Sequence, residues 1–586
     1  MQLRPRHGHA SDYTPSELAE MLVDPYDDSP KYTKGIIGAV CGVILLAALV
    51  NQWSRYKLTE TGAKVASKRP ILRLTAAVRY LATAPTPTFS RYLHFPTRGV
   101  VFLLAVFWTF VLVWSFAVTP YYRSRWNVGS PPLAIRTGMM ALGVFPFILA
   151  FGAKWNLVTF VTGYSHEKLQ VFHQWFSQLF FVLSLLHTFP FVMAGREVRP
   201  NKDGLNPMGL TQIGYSWHIG KVYYWTGVAM LITLTWLCYA SLTPLRQRWY
   251  EMFKLLHIIS AILFSAFFYL HCNALLTSWD YLYATAGLYG ISVVMRFGLM
   301  LFRNGRGVPQ AQIEVLPGDA VRLTIPTPKH QWKAGQHVFV NFCKTRLLES
   351  HPYTISNDAN IYSHKREMVI VLKTDVKGGI GARLASLEPA TTPVLLDGPY
   401  GSGADLSRHH VAVLVAGGSG ASFVVSILND LCRRSVWGEL QTKHIILHWV
   451  VRNEACRAWF EDQINAAIAM APKGMVQVHL HVTGVDAQYG LQVESKTDGS
   501  DAGEAEKRCR AKPSRPHPAW TISNQRPYLP SLLESAFELP GCVGIASCGP
   551  TSFTDDVRRA VASKQKSMAL GHDVRDVELH TEEFDW

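Results

Sequence analysis

Seven stretches of this chain are apolar and nearly uncharged over lengths that can cross a hydrocarbon core of about 30 Å, which takes about 20 helical residues. They run approximately Gly35–Val50, Val100–Val118, Leu133–Phe151, Leu169–Met193, Tyr223–Leu242, Phe253–Cys272 and Tyr281–Phe302. Soluble cores do not supply so many runs of this kind, so the N-terminal half reads as a seven-helix transmembrane bundle. Composition agrees: of 586 residues, 48% are apolar and only 17% charged, a balance natural for a half-membrane protein.

Charge orients the bundle. The net charge is +15, but the basic residues do not gather on one patch. Between Asn51 and Arg98, Lys and Arg face the single acid Glu60. Beside apolar helices, such a segment reads as a cytoplasmic loop near anionic headgroups, which disfavours nucleic acid as a partner. Arg246, Arg248, Arg303 and Arg306 mark further inner ends, whereas Asn273–Asp280 has no Lys or Arg and should face outward. Arg196, Arg199 and Lys202 run against the rule on the outer side. The balance puts the N-terminus outside and the C-terminal half in the cytosol, with the first helix as its own insertion signal. Nine scattered cysteines without a CxxC argue against a disulfide framework or a structural zinc site.

Four histidines stand out within the spans. His173 and His187 share one helix, His257 and His271 another, and each pair is 14 residues apart. That spacing is nearly four turns, about 21 Å of rise and roughly 40° of rotation, so both members face one way. Imidazoles are good axial ligands for haem iron. Both helices run from inside to outside, so His173 meets His257 at the inner level and His187 meets His271 at the outer, holding two b-type haems. Arg136, near the outer start of its span, is a candidate partner for a propionate of the outer haem. A snorkelling arginine is the competing reading. Phe264 lies halfway between its two histidines, where packing is the commoner role. His166 and His218 lack such partners, and nothing in the spacing of Met193, Asp203, Met208 and His218 marks a metal-docking set.

From about Ala311 the pattern changes. Ala320–Ile325 and His337–Phe342 alternate as half-buried strands do, and a compact β-barrel to about Leu406 is expected. Beyond it, His410–Ala416, His444–Val451, Val476–Val482 and Cys542–Ala546 are apolar strands alternating with helices, the pattern of a parallel α/β sheet. The expected domains are therefore a polar tail over 1–34, the haem domain over 35–302, the barrel over 303–406 and the α/β domain over 407–586. A polar segment over 485–518 reads as a disordered insertion.

Within the barrel, His351-Pro352-Tyr353-Thr354-Ile355-Ser356 offers an aromatic to stack on an isoalloxazine ring and a hydroxyl for its polar edge. Lys373 with Gly378, Gly379 and Gly381 combines charge and backbone amides suited to a pyrophosphate. Asp397-Gly-Pro-Tyr-Gly401 reads as a tight turn closing the barrel. Gly417, Gly418 and Gly420 end a buried strand and open a helix, the context that makes a glycine loop a phosphate site. Cys548-Gly-Pro550 ends a later strand, where open α/β sheets place ligands. Arg452 and Arg526 are candidates for a 2′-phosphate, favouring NADPH over NADH.

These motifs in this order, with the terminal Glu582-Glu-Phe-Asp-Trp586, resemble the fungal ferric reductases of the ferric reductase/NADPH oxidase superfamily. The resemblance covers roughly Leu133 to Trp586. It implies a ferredoxin-reductase-like module for FAD and NADPH, flavin contacts at Tyr353 and Thr354, and Cys548 near the nicotinamide. Phe584 or Trp586 would be the aromatic that hydride transfer must displace from the flavin face. The implied reaction takes electrons from cytosolic NADPH through FAD and both haems to outside ferric chelates or siderophores, or to cupric ion, at the plasma membrane.

An oxidase making superoxide is the main rival. The extra first span, the short outer loop after Cys272 and the equal histidine spacings disfavour it, by family analogy. A non-enzymatic redox-sensing membrane protein is the third reading, and the intact histidine set speaks against it.

Overall fold

The computed structural model describes all residues except 1–13, 58–60, 63–64, 66–67, 87–95, 124–129, 195–221, 306, 345, 359–365, 375–378, 388–389, 485–516, 574 and 583–586. Internal contacts divide the chain into two units. One comprises Met1–Gln52, Thr88–Phe95 and Val101–Met295, the other Trp53–Pro87, Pro96–Val100 and Arg296–Trp586.

The first unit is helical. Helix α1 (Pro15–Leu22) opens on a capping box, in which Thr14 and Glu17 satisfy each other's backbone amides. Helix α2 (Pro30–Tyr56) then begins five residues before the expected start at Gly35. Helix α3 (Arg69–Thr83) belongs to the second unit. Among the described residues, six helices are long and apolar enough to cross a membrane: α2, α4 (Arg98–Phe116), α5 (Pro132–Gly152), α7 (His166–Ala194), α10 (Tyr250–Cys272) and α11 (Ser278–Asn304). Two short helices, α6 (Leu157–Thr162) and α9 (Thr243–Arg248), lie between them. The expected fifth span coincides with α8 (Val222–Ala240), whose apolar stretch Tyr224–Ala240 falls short of that length.

Helix α5 is the hub. Its apolar window is 72% buried against 11% for α10 and α11, so α5 is covered by protein while the other two leave Leu255, Ile262 and Val294 exposed. Exposed aliphatic rows on long helices suit hydrocarbon. The tight approach of α2 to α5 uses Gly143, where an added Cβ would meet the Thr33 carbonyl at 2.9 Å. The Thr33 hydroxyl donates to the Met139 carbonyl (2.7 Å).

The second unit holds two sheets. Strands β1 (Gln310–Leu316), β2 (Ala320–Pro326), β3 (His337–Phe342), β4 (Arg346–Thr354), β5 (Glu367–Lys373) and β6 (Thr391–Tyr400) form an antiparallel sheet in the order β4-β3-β6-β1-β2-β5. Inward residues such as Val321, Leu323 and Ile325 alternate with outward ones, as the period of two requires. Helix α12 (Ile380–Ala385) lies between β5 and β6.

Strands β7 (Val411–Gly417), β8 (His444–Val451), β9 (Val476–Val482), β10 (Trp520–Ser523), β11 (Val543–Cys548) and β12 (Val577–Glu582) form a parallel sheet in the order β10-β9-β8-β7-β11-β12. Helices α13 (Ala421–Val436), α14 (Glu461–Met470), α15 (Leu529–Glu538) and α16 (Thr551–Leu570) connect them. Every residue of β11 is buried, which is why it reads as a continuous apolar run.

Two features depart from expectation. Asp397-Gly-Pro-Tyr400 is not a turn but the end of β6. Gly398 adopts φ 144°, open to glycine alone, and an added Cβ would press on Val338 at 3.3 Å. Asp397 accepts from Arg296 (2.6 Å) and Tyr400 (2.6 Å), Arg303 donates to the Gly398 carbonyl (2.6 Å), and Asn304 exchanges hydrogen bonds with Leu396. The motif thus fastens β6 to the last turns of α11. Second, the basic segment read as a loop contains α3 (Arg69–Thr83). Its Ala76 and Leu72 pack into the core shared by α15 and α16, Arg73 donates to carbonyls ending α16, and Arg79 pairs with Asp576 and Glu578.

Candidate functional site

In the helical unit, His173 and His187 on α7 meet His257 and His271 on α10 in the two expected pairs. Ring centres are 6.3 Å apart for His173 and His257, and 5.9 Å for His187 and His271. A metal held between two imidazoles forms nitrogen bonds of about 2 Å, which with the two ring radii makes roughly 6 Å between ring centres. Both pairs fit that requirement.

The rings are also oriented. His173 Nδ1 donates to the Ile148 carbonyl (2.9 Å) and His187 Nδ1 to the Ala134 carbonyl (2.8 Å). With Nδ1 carrying the proton, Nε2 keeps the lone pair a metal needs. His257 Nδ1 lies 3.5 Å from the Ser241 hydroxyl.

Glycines make room for the rings. An added Cβ at Gly138 would lie 2.6 Å from His187 Nδ1, at Gly152 3.0 Å from His173 Nδ1, and at Gly227 2.9 Å from His271. The spacing repeats on each helix: Gly138 and Gly152 on α5, and Gly227 and Ser241 at and just past α8, are separated by the same 14 residues as the histidines. Midway on each lies a buried apolar side chain, Phe145, Phe180, Leu234 or Phe264. Phe180 meets Phe264 edge-on at 5.6 Å, and Phe268 packs against both. Sequence reasoning singled out Phe264 alone and missed the glycines, although their spacing was there to be read.

Arg136 is buried, 3% exposed, and its guanidinium donates to the carbonyls of Val118, Pro120 and Pro132. Those three bonds use three of the five guanidinium N–H groups, and the burial sets this side chain apart from a snorkelling one. His166 is buried beside Glu167, and Met193 is exposed at the end of α7. Asp203, Met208 and His218 lie outside the described residues.

In the two-sheet unit, His351, Pro352, Tyr353 and Thr354 are the last residues of β4, with Ile355 directly after, fully buried. Burial pushes the Tyr353 phenol pKa up, so the ring stays a neutral hydrogen-bonding surface. Gly379 caps α12, and a Cβ at Gly381 would lie 2.2 Å from the Lys373 carbonyl. Gly378 lies outside the described residues.

Lys373, at the end of β5, reaches the glycine turn after β7, where a Cβ on Gly418 would lie 3.7 Å from its Nζ. Gly417 ends β7, and a Cβ on Gly420 would strike the Cys548 carbonyl at 2.5 Å. Lys373, the Gly417–Gly420 turn and Cys548, 1% exposed, therefore lie together at the C-terminal ends of the adjacent strands β7 and β11. Arg452 follows β8 and Arg526 follows β10 at the same sheet edge, both exposed. His580 stacks on Phe423 at 5.7 Å and lies 3.0 Å from Glu582, the residue that leads to the tail. Phe584 and Trp586 lie outside the described residues.

Comparison with known families gives three matches in chain order. The ferric reductase like transmembrane component matches residues 137–268, an FAD-binding domain 306–404, and the ferric reductase NAD binding domain 409–562. The chain is 30% identical over 447 residues to "Probable cell surface ferric reductase kap2" of Aspergillus oryzae, covering 73% of this chain and 58% of that one. It is 26% identical over 475 residues to ferric/cupric reductase transmembrane component 7 of Saccharomyces cerevisiae, covering 78% and 74%. To ferric/cupric reductase transmembrane component 1 of Candida albicans it is 24% identical over 591 residues, covering 94% and 72%. The chain thus spans just over half the length of the Aspergillus relative.

Proposed function

From the three family matches in chain order, we propose that this chain is a multi-pass membrane reductase of the ferric reductase type that carries electrons from cytosolic NADPH to ferric iron outside the cell. One NADPH would reduce two ferric ions to ferrous, leaving NADP⁺ and a proton on the cytosolic side. Chelated and siderophore-bound iron are the proposed substrates, with cupric ion as a second metal. FAD supplies the conversion from a two-electron hydride donor to single electrons, and two b-type haems supply one-electron carriers across the bilayer.

The chain's own residues divide the work. His173 and His257 would hold the inner haem and His187 and His271 the outer, while the Ile148 and Ala134 carbonyls fix the proton on Nδ1 of His173 and His187 and leave Nε2 free to act as a ligand. The buried phenylalanines between the pairs exclude water along the path. Tyr353 and Thr354 hold the flavin, and Lys373, Gly379 and Gly381 its pyrophosphate. Gly417, Gly418 and Gly420 take the dinucleotide phosphates, Arg452 and Arg526 a 2′-phosphate, and Cys548 borders the nicotinamide. By resemblance, Gly378 would serve the flavin pyrophosphate and Phe584 or Trp586 would be the aromatic at the flavin face. With α8 as the seventh span, the N-terminus lies outside the plasma membrane.

The observation that carries this reading is the pair of imidazole separations, 6.3 and 5.9 Å. The break between Cys272 and Ser278, too short for a large outer cap, favours metal over oxygen as acceptor. The test is NADPH-driven reduction by the full chain in liposomes, with chelated Fe(III) or oxygen as sole acceptor. Ferrous iron at twice the rate of NADPH use is expected. Superoxide at twice the rate of NADPH use with oxygen as acceptor, and chelated iron left unreduced, overturns it.

A further inference from the structure

Where α3 ends, α4 begins and α16 passes, the second unit contains a cavity of about 350 Å³ lined by Tyr80, Thr86, Arg98, Arg559, Ser563 and Lys566. Among the described residues, three cations and three hydroxyls line it and no carboxylate does; exposed Arg559 also donates to Asp556 at 2.6 Å. Arg98 is held in position by donating to the Tyr80 hydroxyl (3.1 Å) and the Pro85 carbonyl (3.0 Å). The volume is roughly ten times the ~30 Å³ share of one water. That is more room than a bare phosphate needs, and it suits a phosphate bearing a polyol.

Two further observations say where such an anion comes from. Arg98 is itself the first residue of a membrane-crossing helix, so by chain continuity the cavity lies at headgroup level. Helix α3 has two faces: Leu72 and Ala76 pack into the protein, whereas Leu74, Val78 and Leu81 are 67%, 54% and 44% exposed on the opposite side. An apolar stripe at i, i+4 and i+7 on a basic helix next to a membrane span is the pattern of a helix lying in the interfacial plane.

We propose that this cavity binds the headgroup of an anionic phospholipid, with Arg98, Arg559 and Lys566 on the phosphate and Tyr80, Thr86 and Ser563 on its hydroxyls. The inference rests on the membrane assignment and not on the electron acceptor, so its test does not read reductase activity.

The full chain is placed in phosphatidylcholine nanodiscs titrated with phosphatidylinositol, and retained lipid per protein is measured by native mass spectrometry. Arg559→Ala/Lys566→Ala should weaken retention roughly 10–30-fold, from the usual contribution of each basic group near a membrane. Lys443→Ala/Lys473→Ala removes the same charge elsewhere on the domain and should leave retention unchanged; absorption spectra check that both variants are folded. Unaltered retention in the first variant, or equal loss in both, overturns the proposal. Displacement by inorganic phosphate as effectively as by lipid would make the ligand a free anion, and also overturns it.

Discussion

An added carbon at Gly138 would lie 2.6 Å from Nδ1 of His187, closer than non-bonded atoms approach, so this glycine is the floor on which the imidazole rests. Gly152 stands to His173 as Gly138 does to His187. Gly138→Val should therefore displace His187 and remove the outer haem while the inner one stays, and Gly152→Val should do the reverse. Haem content per chain with redox titration checks this: one haem of a distinct midpoint potential is expected to remain in each variant.

Asp397 is 3% exposed and carries the charge partner of Arg296. Removing one member of such a pair leaves a buried charge uncompensated, at a cost near the lower end of about 3–5 kcal/mol because Arg296 is partly exposed. Asp397→Ala should loosen β6 from α11, with earlier thermal release of FAD. Flavin fluorescence on heating reads it out.

His448 is buried in β8 against His479 and His481, with ring centres 4.8 and 5.6 Å away. Desolvation first, and then its two neighbours, push its pKa down to about 3, so the folded domain holds it neutral. Its unfolded value is about 6.5. The unfolded state therefore binds the proton first, and stability is full above that pH and falls as pH drops from there toward 3, by up to about 1.4 kcal/mol per unit. Amide exchange in β8 and β9, corrected for intrinsic rates, should accelerate between pH 6 and pH 4, and His448→Gln should flatten the dependence.

A Cβ on Gly420 would meet the Cys548 carbonyl oxygen at 2.5 Å, and a backbone atom cannot yield as a side chain can. Gly420→Ala should part the β7 turn from the end of β11. A KM for NADPH raised by an order of magnitude is expected, with haem and flavin contents unchanged.

Much of this arrangement was legible in the sequence because it is written in local periods. The 14-residue histidine spacing, the buried run of β7 ending in glycines and the alternation in β2 each encode structure within a few turns or one strand. The contacts that escaped are made between distant segments. Asp397 looks like a turn residue until Arg296, 101 positions earlier, is beside it. Helix α3 reads as a basic loop because its partners Asp576 and Glu578 lie almost 500 residues away. The glycine floors were readable, since Gly138 and Gly152 keep the histidine spacing, but only a structure shows which rings rest on them.

The central claim is that four histidines hold two haems, and haem quantification with low-temperature electron paramagnetic resonance tests it most directly. The purified chain should hold two haems, both low-spin with two imidazole ligands. His187→Ala should keep only the inner one and His173→Ala only the outer. No haem in the wild type, or two intact low-spin haems in either variant, would contradict the account.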